Sequence, residues 1–385
     1  MTERLDRDQM MSAASQATGL DDFGDIPFLE PLDVLVDSMN REAGLEGARF
    51  AGAQGMITGM LMKRLALVND RTLYPEIAQE KIVAPLFIVG APRTGSTHIH
   101  SLLATVEGVR SPMFWEMTFP SPPPEAATKR TDARIAKAQA IVDQMPEDLL
   151  RRHPIAALRP EQCNLLMDWS FYNLAWLASY EIPSYRHWLF NADHTDALEV
   201  HKRTLQHLQW KNPGRWVLKY PKHLLNLDAV LAAYPDAGLI WTHRDPAAVL
   251  PSVCSLTGYM RSPTPGYDPV KYGREWAVLE EIVMRRGIST RDRTPGPAGR
   301  DLDIYYRDLM NDQVGTVGAV CAHFGVPFSD ASRANVQAWI DDHPQTKHGV
   351  HEYSAEEFGL TVAGIRRRFS FYTERFGVAD DPKAH

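Results

Sequence analysis

The sequence predicts an α/β fold in which helices flank a mostly parallel central sheet. Short apolar runs at residues 86–89, 215–219 and 238–242 have the composition of buried strands, and residues 301–305 add a fourth. These runs alternate with segments that have helical periodicity. Strands that alternate with helices in this way form parallel sheets, and such sheets bind ligands at the carboxyl ends of their strands.

The composition is that of a globular protein with a sizeable core: of 385 residues, 44% are hydrophobic and 23% are charged. The formal net charge of −7 gives no electrostatic reason to expect nucleic acid as a partner. The charged N-terminus does not resemble a secretory signal, and no apolar stretch is long enough to span a membrane. We therefore expect a cytoplasmic protein, and a homo-oligomer is compatible with the sequence.

The three cysteines, Cys163, Cys254 and Cys321, are far apart and lack CxxC spacing. This pattern predicts reduced structural thiols rather than a metal site. The chain also has fourteen histidines, but none is arranged in an HExxH motif. From spacing alone, no metal is expected.

We expect residues 1–80 to form a helical N-terminal region packed on an α/β domain of residues 81–385. Residues 111–127 are rich in proline and read as irregular, and residues 287–300 read as a loop. Asp245 is placed to cap a helix that has Pro246 in its first turn. The pattern of apolar residues predicts helices at 27–42, 51–68, 131–145, 160–178, 223–233, 246–256 and 309–324.

A glycine-bracketed turn, GAPRTGST at residues 90–97, joins the first strand to a helix. Gly90 and Gly95 permit backbone angles that a side chain would forbid, and Ser96 and Thr97 can cap and open the helix. Backbone N–H groups and the positive end of the helix would then converge on one point, which suits a phosphate or a sulfate. The loop therefore predicts a P-loop-like nucleotide-binding architecture.

The loop differs from that of a nucleotide triphosphatase in one charged residue. Ser96 replaces the lysine that such loops carry, and a positive charge appears inside the loop instead, at Arg93. This difference argues against ordinary triphosphate hydrolysis and favours a related loop that binds another anion.

Three separated motifs, GAPRTGST, LKYPKH and HRDPAAVLPS, resemble those of the sulfotransferase family that uses 3′-phosphoadenosine 5′-phosphosulfate (PAPS). The resemblance runs in order from about residue 85 to residue 376. It implies transfer of the sulfuryl group from PAPS to a hydroxyl of a small acceptor, an alcohol or a phenol. We expect a direct in-line displacement, since positioning and charge stabilisation can carry the reaction.

The resemblance also implies roles for individual residues. The loop would hold the 5′-phosphosulfate, and its cation would stabilise charge in the transition state. The 3′-phosphate would be bound by an arginine at a strand end, by a serine in the next helix and by a turn near the C-terminus, while a tyrosine approaches the adenine. The residues in these positions are Arg93, Thr94, Gly95, Ser96 and Thr97 for the loop, Arg244, Ser252, Lys347, His348 and Gly349 for the 3′-phosphate, and Tyr306 for the adenine.

The acceptor hydroxyl must lose a proton, so a base is needed near it. The family offers two candidates, Glu116 and His223, and we favour Glu116 because the spacing of His223 from Lys219 departs from the family pattern. Lys219 would be a cation at the transferring group. The segments 160–178 and 255–285 are candidate walls of an apolar acceptor pocket.

Two alternatives remain open from sequence. A kinase or nucleotide hydrolase would need a carboxylate for Mg²⁺, and Asp245 is the only candidate of note. A non-catalytic relative could keep the nucleotide loop and lack transfer chemistry.

Overall fold

The computed structural model describes residues 3–294, 296, 299–343 and 353–382. Its centre is a five-stranded sheet with the order β2-β3-β1-β4-β5, and every neighbouring pair of strands is parallel. The predicted α/β class is therefore confirmed. The strands are β1 (Leu86–Gly90), β2 (Val109–Arg110), β3 (Arg215–Lys219), β4 (Gly238–His243) and β5 (Asp301–Tyr305).

Helices account for most of the described chain. The α-helices are α1 (Arg7–Thr18), α2 (Leu29–Glu42), α3 (Gly47–Leu73), α4 (Ser96–Leu103), α5 (Phe114–Thr118), α6 (Ala133–Asp143), α7 (Glu147–Arg152), α8 (Trp176–Ser179), α9 (Pro183–Asn191), α10 (Thr195–Gln209), α11 (Leu227–Ala233), α12 (Pro246–Arg261), α13 (Pro269–Arg293), α14 (Tyr306–Asn311), α15 (Gln313–His323), α16 (Asp330–Asp342), α17 (Val362–Arg368) and α18 (Ser370–Phe376). Short 3₁₀ helices span Pro75–Gln79, Ala126–Thr128, Cys163–Leu165, Asp168–Ser170, Pro221–Asn226 and Glu356–Phe358.

Strand β1 is central, and its unbroken apolar run is explained by burial on both faces. Phe87 and Val89 pack into a large cluster on one side, whereas Leu86 and Ile88 pack into a smaller cluster on the other. Successive side chains of a strand point to opposite faces, so a strand covered on both sides needs an apolar residue at every position. The smaller cluster is completed by α4, α14, α15 and α16.

The N-terminal helices share the larger cluster with the sheet. Met10 of α1, Leu32 of α2 and Leu61 of α3 are buried in the same cluster as Phe87. Arg64 is buried too, and its guanidinium carbon lies 4.0 Å from the ring centroid of Phe28. The helical character of this region is as predicted. The hydrophobic core is continuous across residue 80, and a domain boundary at that position stays a prediction.

The helix predicted at 160–178 is wrong. Two 3₁₀ turns and the short helix α8 occupy the segment, and Phe171 has a φ of +65°. Side chains compete with the helix here: the Ser170 hydroxyl accepts from the backbone N–H of Tyr172 at 3.2 Å, and the Asn173 side chain accepts from that of Ala175 at 2.9 Å. Such local bonds favour turns over helix.

Several other elements differ from the prediction. Helix α13 runs to Arg293 and takes the first part of the predicted loop at 287–300. The helix predicted at 309–324 is divided at Asp312, whose side chain caps α15 by accepting from the N–H of Gly315 at 2.8 Å. A 3₁₀ turn at Pro221–Asn226 precedes α11, and the two-residue strand β2 was not predicted.

Within the described residues, no helix combines the length and the apolar character that crossing a membrane would need.

Candidate functional site

The loop after β1 lies directly against β4. Gly90 has a φ of +123°, and a Cβ at this position would lie 2.5 Å from the carbonyl oxygen of Thr242. The hydroxyl of Thr94 donates to the carbonyl of Ala91 at 2.6 Å and lies 2.6 Å from the hydroxyl of Thr242. The close approach therefore requires glycine at position 90 and ties the loop to the neighbouring strand.

Helix α4 begins at the end of this loop. Gly95, with a φ of +86°, is its N-cap and provides no side-chain oxygen for the first backbone N–H groups. Ser96 and Thr97 open the helix as predicted, but the prediction that they cap it is wrong, because both lie inside the first turn and Gly95 is the N-cap. The uncapped, positive end of the helix is a suitable position for an anion.

Arg93 connects the loop to α12. Its Nε donates to the Ser252 hydroxyl at 3.0 Å, and its Nη1 donates to the carbonyl of Arg152 at 3.0 Å. Burial lowers the pKa of Arg93, although an arginine remains charged at neutral pH. The structure thus brings together Arg93 and Ser252, which the sequence assigned to the two ends of the nucleotide.

Arg244 follows β4 and reaches the same loop. Its Nη1 donates to the carbonyl of Arg93 at 3.1 Å, and its guanidinium carbon lies 4.0 Å from the ring centroid of Tyr306. Its Nε donates to the Asp381 carboxylate at 2.9 Å. Arg244, Tyr306 and Asp381 line one cavity of about 290 Å³, together with residues from the segment 377–382.

Asp245 has structural partners on both carboxylate oxygens. Oδ1 accepts from the N–H of Ala247 at 2.9 Å, as expected for the N-cap of α12. Oδ2 accepts from Arg366 at 2.7 Å and from the N–H of Asp381 at 2.9 Å. The kinase alternative needed this carboxylate for Mg²⁺, so the arrangement argues against that alternative.

Lys219, at the end of β3, lies behind the loop. It is 1% exposed, and its Nζ lies 3.4 Å from the Thr97 hydroxyl and 3.7 Å from Oε1 of Glu161. Burial lowers the pKa of Lys219, and the Glu161 carboxylate opposes this shift. The predicted cation is therefore held between the start of α4 and a buried carboxylate.

Glu161 is a residue that sequence reasoning missed. Its Oε2 lies 2.8 Å from Nε2 of His153, and its Oε1 accepts from the N–H of Gln162 at 2.8 Å. Burial favours a raised pKa for Glu161, but His153 and Lys219 outweigh it and lower the pKa to about 2. No spacing rule pointed to this carboxylate, because Lys219 is remote in the sequence and the pairing with His153, eight residues earlier, follows no motif.

Arg93, His153 and Glu161 line a second cavity, of about 310 Å³, whose other walls are mainly apolar. Both segments that the sequence proposed as pocket walls contribute to it, as do α7 and α12. The apolar lining residues include Leu149, Ile155, Leu165, Leu174, Leu177, Val253, Leu256, Met260, Trp276 and Leu279.

Neither base candidate from the sequence, the favoured Glu116 or the alternative His223, is among the residues that line this cavity. Glu116 is buried in α5, where it accepts from Arg110 at 2.8 Å and from the N–H of Met113 at 3.0 Å. His223 is fully buried behind the sheet, and burial lowers its pKa to about 3. Their contacts are those of structural residues. Lys347, His348 and Gly349 lie outside the described residues.

Two solved structures are similar to this chain over nearly their whole length. Sulfotransferase STF9 from Mycobacterium avium has a TM-score of 0.89 and 28% identity, with 99% of each chain covered. Sulfotransferase STF1 from Mycobacterium tuberculosis H37Rv has a TM-score of 0.84 and 29% identity, covering 96% of this chain and 100% of that one.

Sequence comparison gives the same result. The omega-hydroxy-beta-dihydromenaquinone-9 sulfotransferase Stf3 of Mycobacterium bovis and Mycobacterium tuberculosis is 24% identical over 312 residues, covering 76% of this chain and 78% of the relative. The profile described as "Sulfotransferase family" matches residues 85–330. Since that match spans more than half of the chain and includes the loop, Lys219, Arg244 and Ser252, the chain belongs to the sulfotransferase family and is a transferase.

Proposed function

We propose that this sulfotransferase moves the sulfuryl group of PAPS to the hydroxyl of a lipid-like acceptor. One observation carries the proposal: the loop cation Arg93 and the His153–Glu161 pair line the same cavity as a set of apolar side chains. An apolar cavity of this size can take part of a hydrocarbon chain, and polar groups in its wall can orient a terminal hydroxyl. The relative Stf3 is named for a hydroxylated menaquinone, which is an acceptor of this class.

The donor would lie across the carboxyl ends of β1 and β4. The loop 90–97 would bind the 5′-phosphosulfate with its backbone N–H groups, its hydroxyls and Arg93. Arg244 and Ser252 would bind the 3′-phosphate, and the Tyr306 ring would pack near the adenine. These assignments are supported by contacts that join the two ends of the proposed site, namely Arg93 to Ser252 and Arg244 to the carbonyl of Arg93.

The reaction needs charge stabilisation where the sulfur–oxygen bond breaks. As the acceptor oxygen attacks sulfur, negative charge develops on the bridging oxygen and the departing 5′-phosphate. Arg93 and the start of α4 would stabilise that charge. Nζ of Lys219, at the end of β3, lies 3.4 Å from the hydroxyl of Thr97 in the first turn of α4. The products are the sulfate ester and 3′-phosphoadenosine 5′-phosphate.

We assign the base to His153 rather than to Glu116 or His223. Nε2 of His153 is held by Glu161, which leaves Nδ1 as the ring nitrogen available to a hydroxyl in the cavity. Nδ1 would accept the proton of the acceptor hydroxyl as the new oxygen–sulfur bond forms. The Glu161 carboxylate would then stabilise the positively charged ring, since an ionised partner favours the charged form of histidine.

The first prediction concerns the 3′-phosphate. Arg244→Gln should weaken binding of 3′-phosphoadenosine 5′-phosphate by roughly 10- to 100-fold, since a hydrogen bond to a charged group is lost. Binding of adenosine 5′-monophosphate, which lacks the 3′-phosphate, should change little. Calorimetry on both ligands measures the difference, and the exposed Arg367→Gln is the control. Equal losses for the two ligands would contradict the assignment.

The second prediction concerns Asp381, which occupies the Nε donor of Arg244. A 3′-phosphate must compete with this carboxylate, so Asp381→Asn should tighten binding of 3′-phosphoadenosine 5′-phosphate by about fivefold, about 1 kcal/mol. The neighbouring Asp380→Asn is the control, because Asp380 pairs with Arg366 at 3.1 Å instead. Weaker binding in Asp381→Asn would show that the carboxylate positions Arg244 and does not compete.

The third prediction separates the base candidates. His153→Gln should reduce kcat by roughly 10²- to 10⁴-fold, as expected for loss of a general base, with nucleotide affinity nearly unchanged. Glu116→Gln should lower thermal stability, because it leaves Arg110 buried without its counter-charge, yet folded protein should keep turnover within about tenfold. Steady-state kinetics on protein confirmed to be folded decides between the two candidates. A large loss of kcat in Glu116→Gln with little loss in His153→Gln would identify Glu116 as the base instead.

The fourth prediction tests the apolar acceptor. Ala175→Trp places an indole in the cavity wall and should reduce transfer from labelled PAPS to a long polyprenyl alcohol by at least about tenfold. Transfer to a short primary alcohol and binding of the nucleotide should remain close to those of the unmodified protein. A preference for sugar hydroxyls in the unmodified protein, or equal loss for both alcohols in the variant, would reject a lipid-like acceptor.

A further inference from the structure

We propose that Cys163, His201 and His223 bind a cuprous ion inside the protein core, independently of the proposed function. Cys163 begins the turn Cys163–Leu165, His201 lies in α10, and His223 lies in the turn that follows β3. Their sulfur and nitrogen ligand atoms all lie within 4.8 Å of one another. Each of the three residues is fully buried.

Each histidine of this cluster has a ring nitrogen that lacks a partner. Nε2 of His201 and at least one ring nitrogen of His223 are buried without a hydrogen-bond partner in the described residues, while the Asn226 side chain is near enough to bond the other nitrogen of His223. Buried polar groups are nearly always paired, so unpaired nitrogens on two adjacent rings call for an explanation. A bound metal ion would supply a partner to one nitrogen of each ring.

The surroundings fix one of the rings in an orientation suited to metal binding. Nδ1 of His201 lies 2.7 Å from the hydroxyl of Tyr234, which leaves Nε2 as the atom directed to the cluster. Histidines that bind metals commonly make this kind of hydrogen bond through the other nitrogen. His223 is held edge-on against His201, with ring centroids 5.8 Å apart, and against Phe87 at 5.4 Å.

Metal coordination requires neutral imidazoles and a thiolate. Binding would break the S–H bond, form a sulfur–metal bond and release one proton.

Charge selects the ion. One thiolate and two neutral imidazoles neutralise a monovalent cation, whereas a divalent cation would leave a net positive charge in an apolar core. Unpaired buried charge is strongly disfavoured. Thiolate and imidazole ligands suit copper and zinc, and the soft thiolate favours Cu(I). The three ligands found here are therefore better matched to Cu(I) than to Zn²⁺.

A metal ion in this cluster would stiffen the two segments that carry Glu161 and Lys219. Cys163 follows Glu161 by two residues, and His223 follows Lys219 by four. A metal ion coordinated by both Cys163 and His223 would link the segment that carries Glu161 to the segment that carries Lys219. The expected role is structural, because none of the three ligands lines the cavity with Arg93.

The experiment is an anaerobic Cu(I) titration of the full-length protein in competition with a chromophoric Cu(I) chelator, followed by thermal melting. We expect one copper per chain, a dissociation constant at least about 100-fold lower than that of Cys163→Ala, and a higher melting midpoint with copper. X-ray absorption should show one sulfur and two nitrogen neighbours around the metal.

Two further variants make the result decisive. His223→Phe keeps an aromatic ring against Phe87 and should also lose copper, which covers the case in which Cys163→Ala does not fold. Cys254→Ala removes another buried thiol, one that is not in the cluster, and should retain copper. No tight copper in the unmodified protein, equal copper in all variants, or residue-dependent binding of Zn²⁺ in place of copper would each overturn the proposal.

Discussion

The pairing of β1 with β4 is the constraint on which the site depends. Gly90 lies opposite Thr242 in the sheet, and the missing side chain lets the loop turn directly over the neighbouring strand. This contact sets the loop 90–97 beside the residues that follow β4, so that Arg244 reaches the carbonyl of Arg93. Any larger residue at position 90 would separate the two halves of the proposed donor site.

A second constraint is the set of charges buried behind the loop. Removing one partner of a buried ion pair typically costs about 3–5 kcal/mol, because the other charge is left without compensation. Lys219 and Glu161 are both buried, and Glu161 also holds His153. The groups that we assign to proton transfer are thus fixed by the same interactions that make burial of Lys219 tolerable, and their geometry is coupled to stability.

The sequence predicted the features that are local in the chain. The loop with Arg93, the strand-end Arg244 and the N-cap Asp245 were all identified, because each is specified by a few adjacent residues. Asp381 and the Cys163 cluster were not, since their partners are tens of residues to more than a hundred residues away. Glu161 was not, since Lys219 is remote in the sequence and the pairing with nearby His153 follows no motif. The helix predicted at 160–178 failed for a related reason: apolar periodicity was present, but side-chain bonds from Ser170 and Asn173 stabilised turns instead.

The strand order has a consequence for the nascent chain. Leu86 pairs with Val217 on one side and with Gly238 on the other, so β1 has no neighbour close to it in sequence. Parallel pairs cannot form from a hairpin, and long loops must close before such contacts are gained. During synthesis the apolar strand β1 therefore has no strand to pair with until β3, at Arg215–Lys219, has been made, and its second partner β4 follows only at Gly238–His243. Nascent chains halted before β3 should expose it to chaperones.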